Sequence, residues 1–360
     1  MKLLSVASAR PNFVKLAAVD HAVRSHGGVD HVIVHTGQHY DPLLSDIFFT
    51  QLSISQPAHN LGIHGGDRQE VVERTKEALI PVLTQEKPDC VLVYGDVNGA
   101  LGAAQAAHEL GIKLAHVEAG LRSGDLEMPE ENNRIAIDQL ADFLFCTEKS
   151  GMENLEKEGR PGKAFLVGNT MIDTLIRMGP LIAKQELPAG LPKQFGVITL
   201  HRPSNVDDAG TLRSVIEFLN EVASYTDLVL PVHHRLKNSL DKFDLRRLVS
   251  PAIHLIDAQG YLPFLKMLRD CSFILTDSGG IQEEAVLMQK RCFTLRRNTE
   301  RPATLESGSN VLINPAIPGD RAYVLGFAQS TRMSLPIVAI PEFWDGKAGE
   351  RILEVLKHNL

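Results

Sequence analysis

Short apolar runs recur along this chain, each passing through a polar turn into a segment whose apolar positions have helical spacing. Leu3 to Ala7 is the first. It turns at Ser8-Ala9-Arg10-Pro11 into a helix predicted over about Asn12 to Arg24, with the proline near its first turn. His31 to His35 ends in the polar loop Thr36-Gly37-Gln38-His39-Tyr40-Asp41. A helix predicted over Gln69 to Gln85 leads to the strand Cys90 to Tyr94, which empties into Gly95-Asp96-Val97-Asn98-Gly99 and an alanine-rich helix from Ala100 to Ala107. Ile112, Leu114 and Ala115 then mark a buried parallel strand, and helical spacing resumes at Ile135, Ile137 and Leu140. Phe143 to Cys146 is one more strand.

Val167-Gly168-Asn169-Thr170 opens a further helix, and Leu187-Pro188-Ala189-Gly190-Leu191-Pro192 is the best linker candidate. The alternation then restarts. Phe195 to Leu200 ends in His201-Arg202-Pro203-Ser204-Asn205, Leu228 to Val232 in His233-His234-Arg235, and Phe273 to Thr276 in Asp277-Ser278-Gly279-Gly280. Strand-helix alternation of this kind predicts an α/β fold of two doubly wound, Rossmann-like domains whose carboxyl-edge loops face a shared cleft. The expected division is an N-terminal domain over 1–168, a second domain over 169–345 and a C-terminal helix within 346–360 that could pack back on the first.

A chain of 360 residues, 44% hydrophobic and 22% charged, suits a globular protein of two domains. Its net charge of −7, without a basic run, argues against a nucleic-acid partner. No apolar run is long enough to span a bilayer and the chain opens directly into a strand pattern, so no membrane partner and a cytoplasmic location are expected. Cys90, Cys146, Cys271 and Cys292 lie far apart beside apolar runs, which points to core packing rather than to disulfides or a metal.

Candidate chemistry gathers at predicted strand ends. Between His116 and Arg134, five acids (Glu118, Asp125, Glu127, Glu130 and Glu131) are interrupted by Gly120, Gly124 and Pro129, which read as a loop. Glu118 directly continues a strand and is followed by Ala-Gly, leaving its carboxylate little steric cover. Asp96 ends the preceding strand, and reads either as a helix N-cap or as a second carboxylate at the same sheet edge. Arg10 and Lys15 belong to a helix start above a strand end, a position that favours anions; ordinary surface bases are the alternative. No G-x-G-x-x-G is present, which removes the main support for a nicotinamide cofactor. In Thr276-Asp277-Ser278-Gly279-Gly280-Ile281-Gln282-Glu283-Glu284, two glycines at a helix start open backbone N–H groups to a phosphate. Ser278 adds a hydroxyl, and Glu284 can accept from a ribose diol. Arg301 offers a further cation to that edge. A plain tight turn is the alternative.

These segments together resemble the non-hydrolysing UDP-N-acetylglucosamine 2-epimerases, whose architecture is that of the GT-B glycosyltransferases. The resemblance runs in order from Ala9-Arg-Pro-Asn-Phe-Val-Lys15 through Gly95-Asp96, His116-Val-Glu-Ala-Gly-Leu-Arg122, Pro129-Glu-Glu-Asn-Asn-Arg134 and the Thr276 to Glu284 motif to Thr299-Glu-Arg-Pro302. A fainter echo follows at Asp345-Gly346-Lys347-Ala348. It implies Asp96, Glu118 and Glu130 as catalytic acids, His201 as an auxiliary group near the diphosphate, and Arg10, Ser278, Gly279, Gly280, Glu284 and Arg301 as nucleotide contacts, with Lys15 a further candidate. It also implies a UDP-sugar as substrate, no cofactor or metal, and a homodimer. The family's reaction inverts C2 by anti elimination of UDP to a glycal followed by re-addition, which needs a base and an acid on opposite faces and a cradle for the departing diphosphate.

Two departures stand out. Pro203-Ser204 follow His201-Arg202 where many relatives have Arg-Glu. Some bacterial members carry an activating second substrate site; Gln38, His39, Arg68, Arg202 and His233 are its candidates here, but Asp41 stands where those members have Gln. A branch acting on UDP-diacetamido-uronic acids fits the Thr-Gly-Gln-His-Tyr-Asp and Tyr-Gly-Asp segments as comfortably. A hydrolysing relative, a GT-B glycosyltransferase and a non-catalytic nucleotide-sugar sensor are the other functions compatible with these motifs.

Overall fold

The computed structural model describes residues 1–37, 49–330 and 339–360. It divides into two compact units, Met1–Met178 with Pro341–Leu360, and Gly179–Ile340.

The first unit is built on a parallel sheet of β1 (Lys2–Ala7), β2 (Asp30–His35), β3 (His59–Asn60), β4 (Cys90–Tyr94), β5 (Lys113–Ala119), β6 (Phe143–Cys146) and β7 (Lys163–Leu166). Its order is β3-β2-β1-β4-β5-β6-β7, so the winding direction reverses between β1 and β4. Crevices at the carboxyl ends of strands flanking such a reversal are where open α/β sheets bind ligands. The central strands are buried throughout, because parallel strands covered by helices on both faces read as continuous apolar runs. Helices α1 (Arg10–His26), α2 (Arg68–Glu86), α3 (Asn98–Glu109), α4 (Pro129–Leu140), α5 (Lys149–Lys157) and α6 (Thr170–Ala183) connect or flank these strands. The small residues of α3 serve close packing: a Cβ on Gly102 would stand 2.5 Å from the Val72 carbonyl oxygen of α2.

The second unit repeats the plan with β8 (Gly196–Thr199), β9 (Leu228–Val232), β10 (Ile253–Asp257), β11 (Phe273–Thr276), β12 (Arg291–Thr294) and β13 (Asn310–Leu312). Its order, β10-β9-β8-β11-β12-β13, puts the reversal between β8 and β11. Its core joins Ile198, Phe218, Phe273 and Phe293 with the buried face of α8 (Ala209–Ala223), which follows the short α7 (Pro203–Val206). The remaining helices used below are α9 (His234–Lys242), α10 (Tyr261–Asp270), α11 (Gly279–Leu287), α12 (Pro302–Glu306) and α13 (Pro318–Gln329).

The division falls at Met178, inside α6, and not at 168, and the last segment of the first unit starts at Pro341. The reason is local. Thr174 donates to the Val14 carbonyl at 2.7 Å, and the Asp173 carboxylate accepts from the Gly349 N–H at 2.8 Å, so the first half of α6 is tied to α1 and to α14 (Ala348–Asn359). Helix α14 lies directly on α1, where Gly349 brings its backbone against that of Ala18. Trp344 is buried and donates its indole N–H to the Thr147 carbonyl at 3.0 Å, fixing the segment before that helix. The Leu187–Pro192 stretch therefore lies within the second unit and is not its boundary.

Candidate active site

In the first unit, the carboxyl edge at the reversal gathers the residues singled out from the chain pattern. Asn12 welds the two flanking strand ends: its Oδ1 accepts from the Ser8 and Ala9 N–H groups at 3.1 and 2.9 Å, and its amide donates to the Tyr94 carbonyl at 2.7 Å. Strand β5 runs through Ala119, so Glu118 continues the strand, and its register with β6 slips between Val117 and Ala119. Glu118 sits at that slip with φ of +75°. For a non-glycine residue this conformation costs on the order of 1–3 kcal/mol and survives only where the surroundings enforce it. Its carboxylate is buried in an ion pair with Lys15. Lys15, expected as a nucleotide contact, is thus engaged with an acid. Gly95, at φ +63°, makes room for this pair, since a Cβ there would meet the Lys15 ammonium at 2.7 Å.

Asp96 is not the cap of α3; Val97 holds that position, without a side-chain bond. The Asp96 carboxylate instead takes two donors from Arg134, which also reaches Glu131 at 2.5 Å. Glu131 is buried and accepts from the N–H groups of Ser123 and Gly124 and from the Ser123 hydroxyl, all at 3.0 Å, so it anchors the turn after β5. Asn133 donates to the Asp96 carbonyl at 2.8 Å and accepts from Arg68 at 2.8 Å, which ties that second-site candidate to the same loop. Glu130 is exposed in the first turn of α4. Under this edge lies a buried network. His116 approaches Asp138 at 2.6 Å through Nδ1 and the Gly95 carbonyl at 3.0 Å through Nε2, while the second Asp138 oxygen accepts from the Gly120 N–H at 3.1 Å and pairs with Arg122 at 2.8 Å. Burial pushes the Asp138 pKa up, but the charge and hydrogen bond of His116, with Arg122, outweigh it and hold the carboxyl below the usual range.

In the second unit the reversal again marks the spot. Asp277 is fully buried at the end of β11 and accepts from the backbone N–H groups of His201 and Arg202, at 3.1 and 2.9 Å, and from Asn205 at 3.1 Å. His201 Nδ1 lies 2.9 Å from the same carboxylate, leaving the side chain 43% exposed. Burial works to raise the Asp277 pKa, yet the His201 bond and charge and the Arg202 N–H lower it overall. Arg202 donates from Nε to the Asp277 carbonyl at 2.9 Å, so the Pro203-Ser204 departure leaves the preceding pair in place. Exposed His233 lies on the same side, its ring centroid 6.3 Å from that of His201.

Ser278 precedes α11, whose first residue, Gly279, is close to Arg301: a Cβ there would meet the guanidinium at 2.6 Å. Gly280 is the next residue of the helix. Arg301 is buried between Glu283, at 3.1 Å, and Glu300, which Arg296 pairs at 2.7 Å. Gln282 donates to the Ser278 carbonyl at 3.1 Å and accepts from Thr299 and Asn310, both at 2.8 Å, and so fixes the orientation of the helix start. Glu284 is buried, and that burial, with the neighbouring Glu283 charge, pushes its pKa up to about 8. Gln38 and His39 lie outside the described residues, and Arg10 begins α1.

The roles of Asn12, His116, Arg134, Asp138, Asp277 and Gln282 were not evident from the chain pattern. Most of these residues stand inside the quoted motifs, but each also has a partner distant in sequence that nothing local marks.

Carboxylates held by cations lie at the edge of one sheet, and a helix start against Arg301 beside a buried aspartate lies at the edge of the other, in a doubly wound α/β protein. The family model described as UDP-N-acetylglucosamine 2-epimerase matches residues 21–357. The UDP-2,3-diacetamido-2,3-dideoxy-D-glucuronate 2-epimerase of Pseudomonas aeruginosa is 40% identical over 322 residues, 88% of this chain and 89% of that one. The UDP-N-acetylglucosamine 2-epimerase of Methanocaldococcus jannaschii is 36% identical over 369 residues, 99% of each chain. The crystal structure of the M. jannaschii enzyme in complex with UDP-GlcNAc and UDP superposes with a TM-score of 0.90 at 35% identity, covering 99% of this chain and all of that one. That of the Neisseria meningitidis enzyme bound to UDP-GlcNAc gives 0.89 at 29% identity, covering both chains in full. The chain belongs to the UDP-N-acetylglucosamine 2-epimerase family, a family of isomerases.

Proposed function

We propose that this protein inverts C2 of a UDP-2-acetamido sugar without hydrolysis, interconverting UDP-N-acetylglucosamine and UDP-N-acetylmannosamine through anti elimination of UDP, a glycal and re-addition. The observation that carries this reading is the placement of Asp96 and Glu118 at the ends of the neighbouring strands β4 and β5, each carboxylate held by a cation. Proton removal from C2 and proton return to the other face need two such groups, and exposed Glu130 on α4 is the third candidate. Lys15 and Arg134 hold the two carboxylates in place through their ion pairs.

The second unit is assigned the nucleotide. Ser278, Gly279 and Gly280 offer a helix start to the diphosphate, with Arg301 and His201 as cationic contacts, and Glu284 takes the ribose. Stabilising UDP as it departs is the electrostatic half of the reaction. No metal or redox cofactor is required by this chemistry. A homodimer and a cytoplasmic location are part of the same proposal; no described helix is long and apolar enough to cross a membrane.

The 40% identity to the P. aeruginosa enzyme supports a second reading, in which the sugar is the diacetamido-glucuronate. NMR of the purified protein with each UDP-sugar in turn separates them. New C2-epimer signals from UDP-N-acetylglucosamine support the first reading, and turnover of the uronate alone supports the second. Free hexosamine would indicate hydrolysis, and UDP release only with an acceptor would indicate a transferase.

A further inference from the structure

The buried pair beneath the first sheet edge has a geometry that a plain core ion pair does not need. Asp138 on α4 reaches back to both sides of one residue: Oδ1 meets His116, and Oδ2 meets the Gly120 N–H. Glu118, with its left-handed backbone, stands midway between them. The His116 ring continues the line to the carbonyl of Gly95, the residue before Asp96. The ring thus bridges a carboxylate and a backbone carbonyl, and Arg122 also pairs with Asp138 at 2.8 Å. Ring and carboxylate are fully buried. Buried ion pairs are a poor source of stability compared with well-packed apolar side chains, which leaves orientation as the function of this one.

We propose that Asp138 is a positioning residue for both candidate acids at once, clamping Glu118 into its conformation through His116 and Gly120 and setting the Asp96 turn through the His116 ring. This rests on the reading of Asp96 and Glu118 as the acids of the epimerisation. The clamp acts on their placement and not on the nucleotide, which that reading gives to the second unit.

Two variants of the full-length protein test it. Asp138→Ala removes both acceptors and is expected to lower kcat by about 100-fold, the scale set by misplacing a reacting group by roughly an ångström. KM and UDP affinity should stay within about threefold of wild type, as for an interaction made only in the transition state. Asp138→Asn can still hydrogen-bond to the Gly120 N–H and to the His116 ring, so most of the turnover is expected to return. An Ala variant with near-normal kcat, or equal losses in kcat and UDP affinity, overturns the clamp. If the Ala variant does not fold, the Asn variant decides, and a loss of turnover there as large as in the acid variants overturns the clamp. Near-normal turnover in Asp96→Asn and Glu118→Gln would remove the acid assignment instead.

Discussion

Each candidate acid is defined by what holds it. Glu118 is buried against Lys15 and Asp96 is gripped by Arg134, whereas Glu130 stands exposed in the first turn of its helix. Replacing any one of them by its amide is expected to lower turnover by about 100-fold or more, the usual weight of a positioned acid or base, with UDP affinity largely kept. Steady-state rates beside UDP calorimetry check this, and an amide variant at near wild-type rate would strike that residue from the site. Glu284 carries a different expectation. Its pKa of about 8 means that the free protein holds its proton at neutral pH, while hydroxyl donors of a ribose favour the carboxylate. Binding should therefore expel a proton below about pH 8, and affinity for the UDP-sugar should rise with pH up to that point and then level off. Calorimetry of a Glu118→Gln background, in buffers of different ionisation heat, reads the proton directly. Adding Glu284→Gln should abolish the release; a release that persists would place it on another group.

At the level of elements, helix starts and strand ends do most of the positioning. Helix α14 lies on α1 only because Gly349 has no side chain: a Cβ would stand 2.3 Å from the Ala18 carbonyl oxygen. Gly349→Ala is expected to destabilise the first unit by about 1–3 kcal/mol, the cost of overpacking a fitted contact. At roughly 2–4 °C per kcal/mol for a unit of this size, calorimetric unfolding should show it; an unchanged transition would mean that the two helices separate at no cost. The strands that were legible are the buried ones. β1, β2, β4, β5, β6, β8, β9 and β11 announce themselves as apolar runs because both faces are covered. Strand β3 is only His59–Asn60, exists through its pairing with β2, and has no apolar signature, while β7 and β13 are short and only partly buried. Glu118 was legible as the continuation of a strand, and β5 does run through Ala119, whereas glycine and proline suggested a loop that α4 cuts short by starting at Pro129. The tolerance of proline in a first helical turn accounts for that early start.

Taken whole, the molecule is two doubly wound units, each with a reversal in its sheet and each with a polar cluster at that reversal. That plan was legible from the strand-helix alternation, and the motifs at Gly95-Asp96, Glu118 and Asp277 to Glu284 fall at the edges it implies. Partnerships were not legible. Asp138 to His116, Asn12 to Tyr94 and Arg134 to Asp96 join residues that only folding brings together, and the unit boundary inside α6 follows from contacts with a C-terminal segment far along the chain. The central claim is that carboxylates of the first unit break and remake the C2–H bond of a UDP-sugar while UDP leaves and returns. Incubation with UDP-N-acetylglucosamine in heavy water, followed by NMR, tests it most directly. The account predicts deuterium at C2 of both epimers with the UDP linkage intact, and loss of that exchange in Glu118→Gln. Epimer formed without deuterium, or sugar freed from UDP as the product, would contradict it.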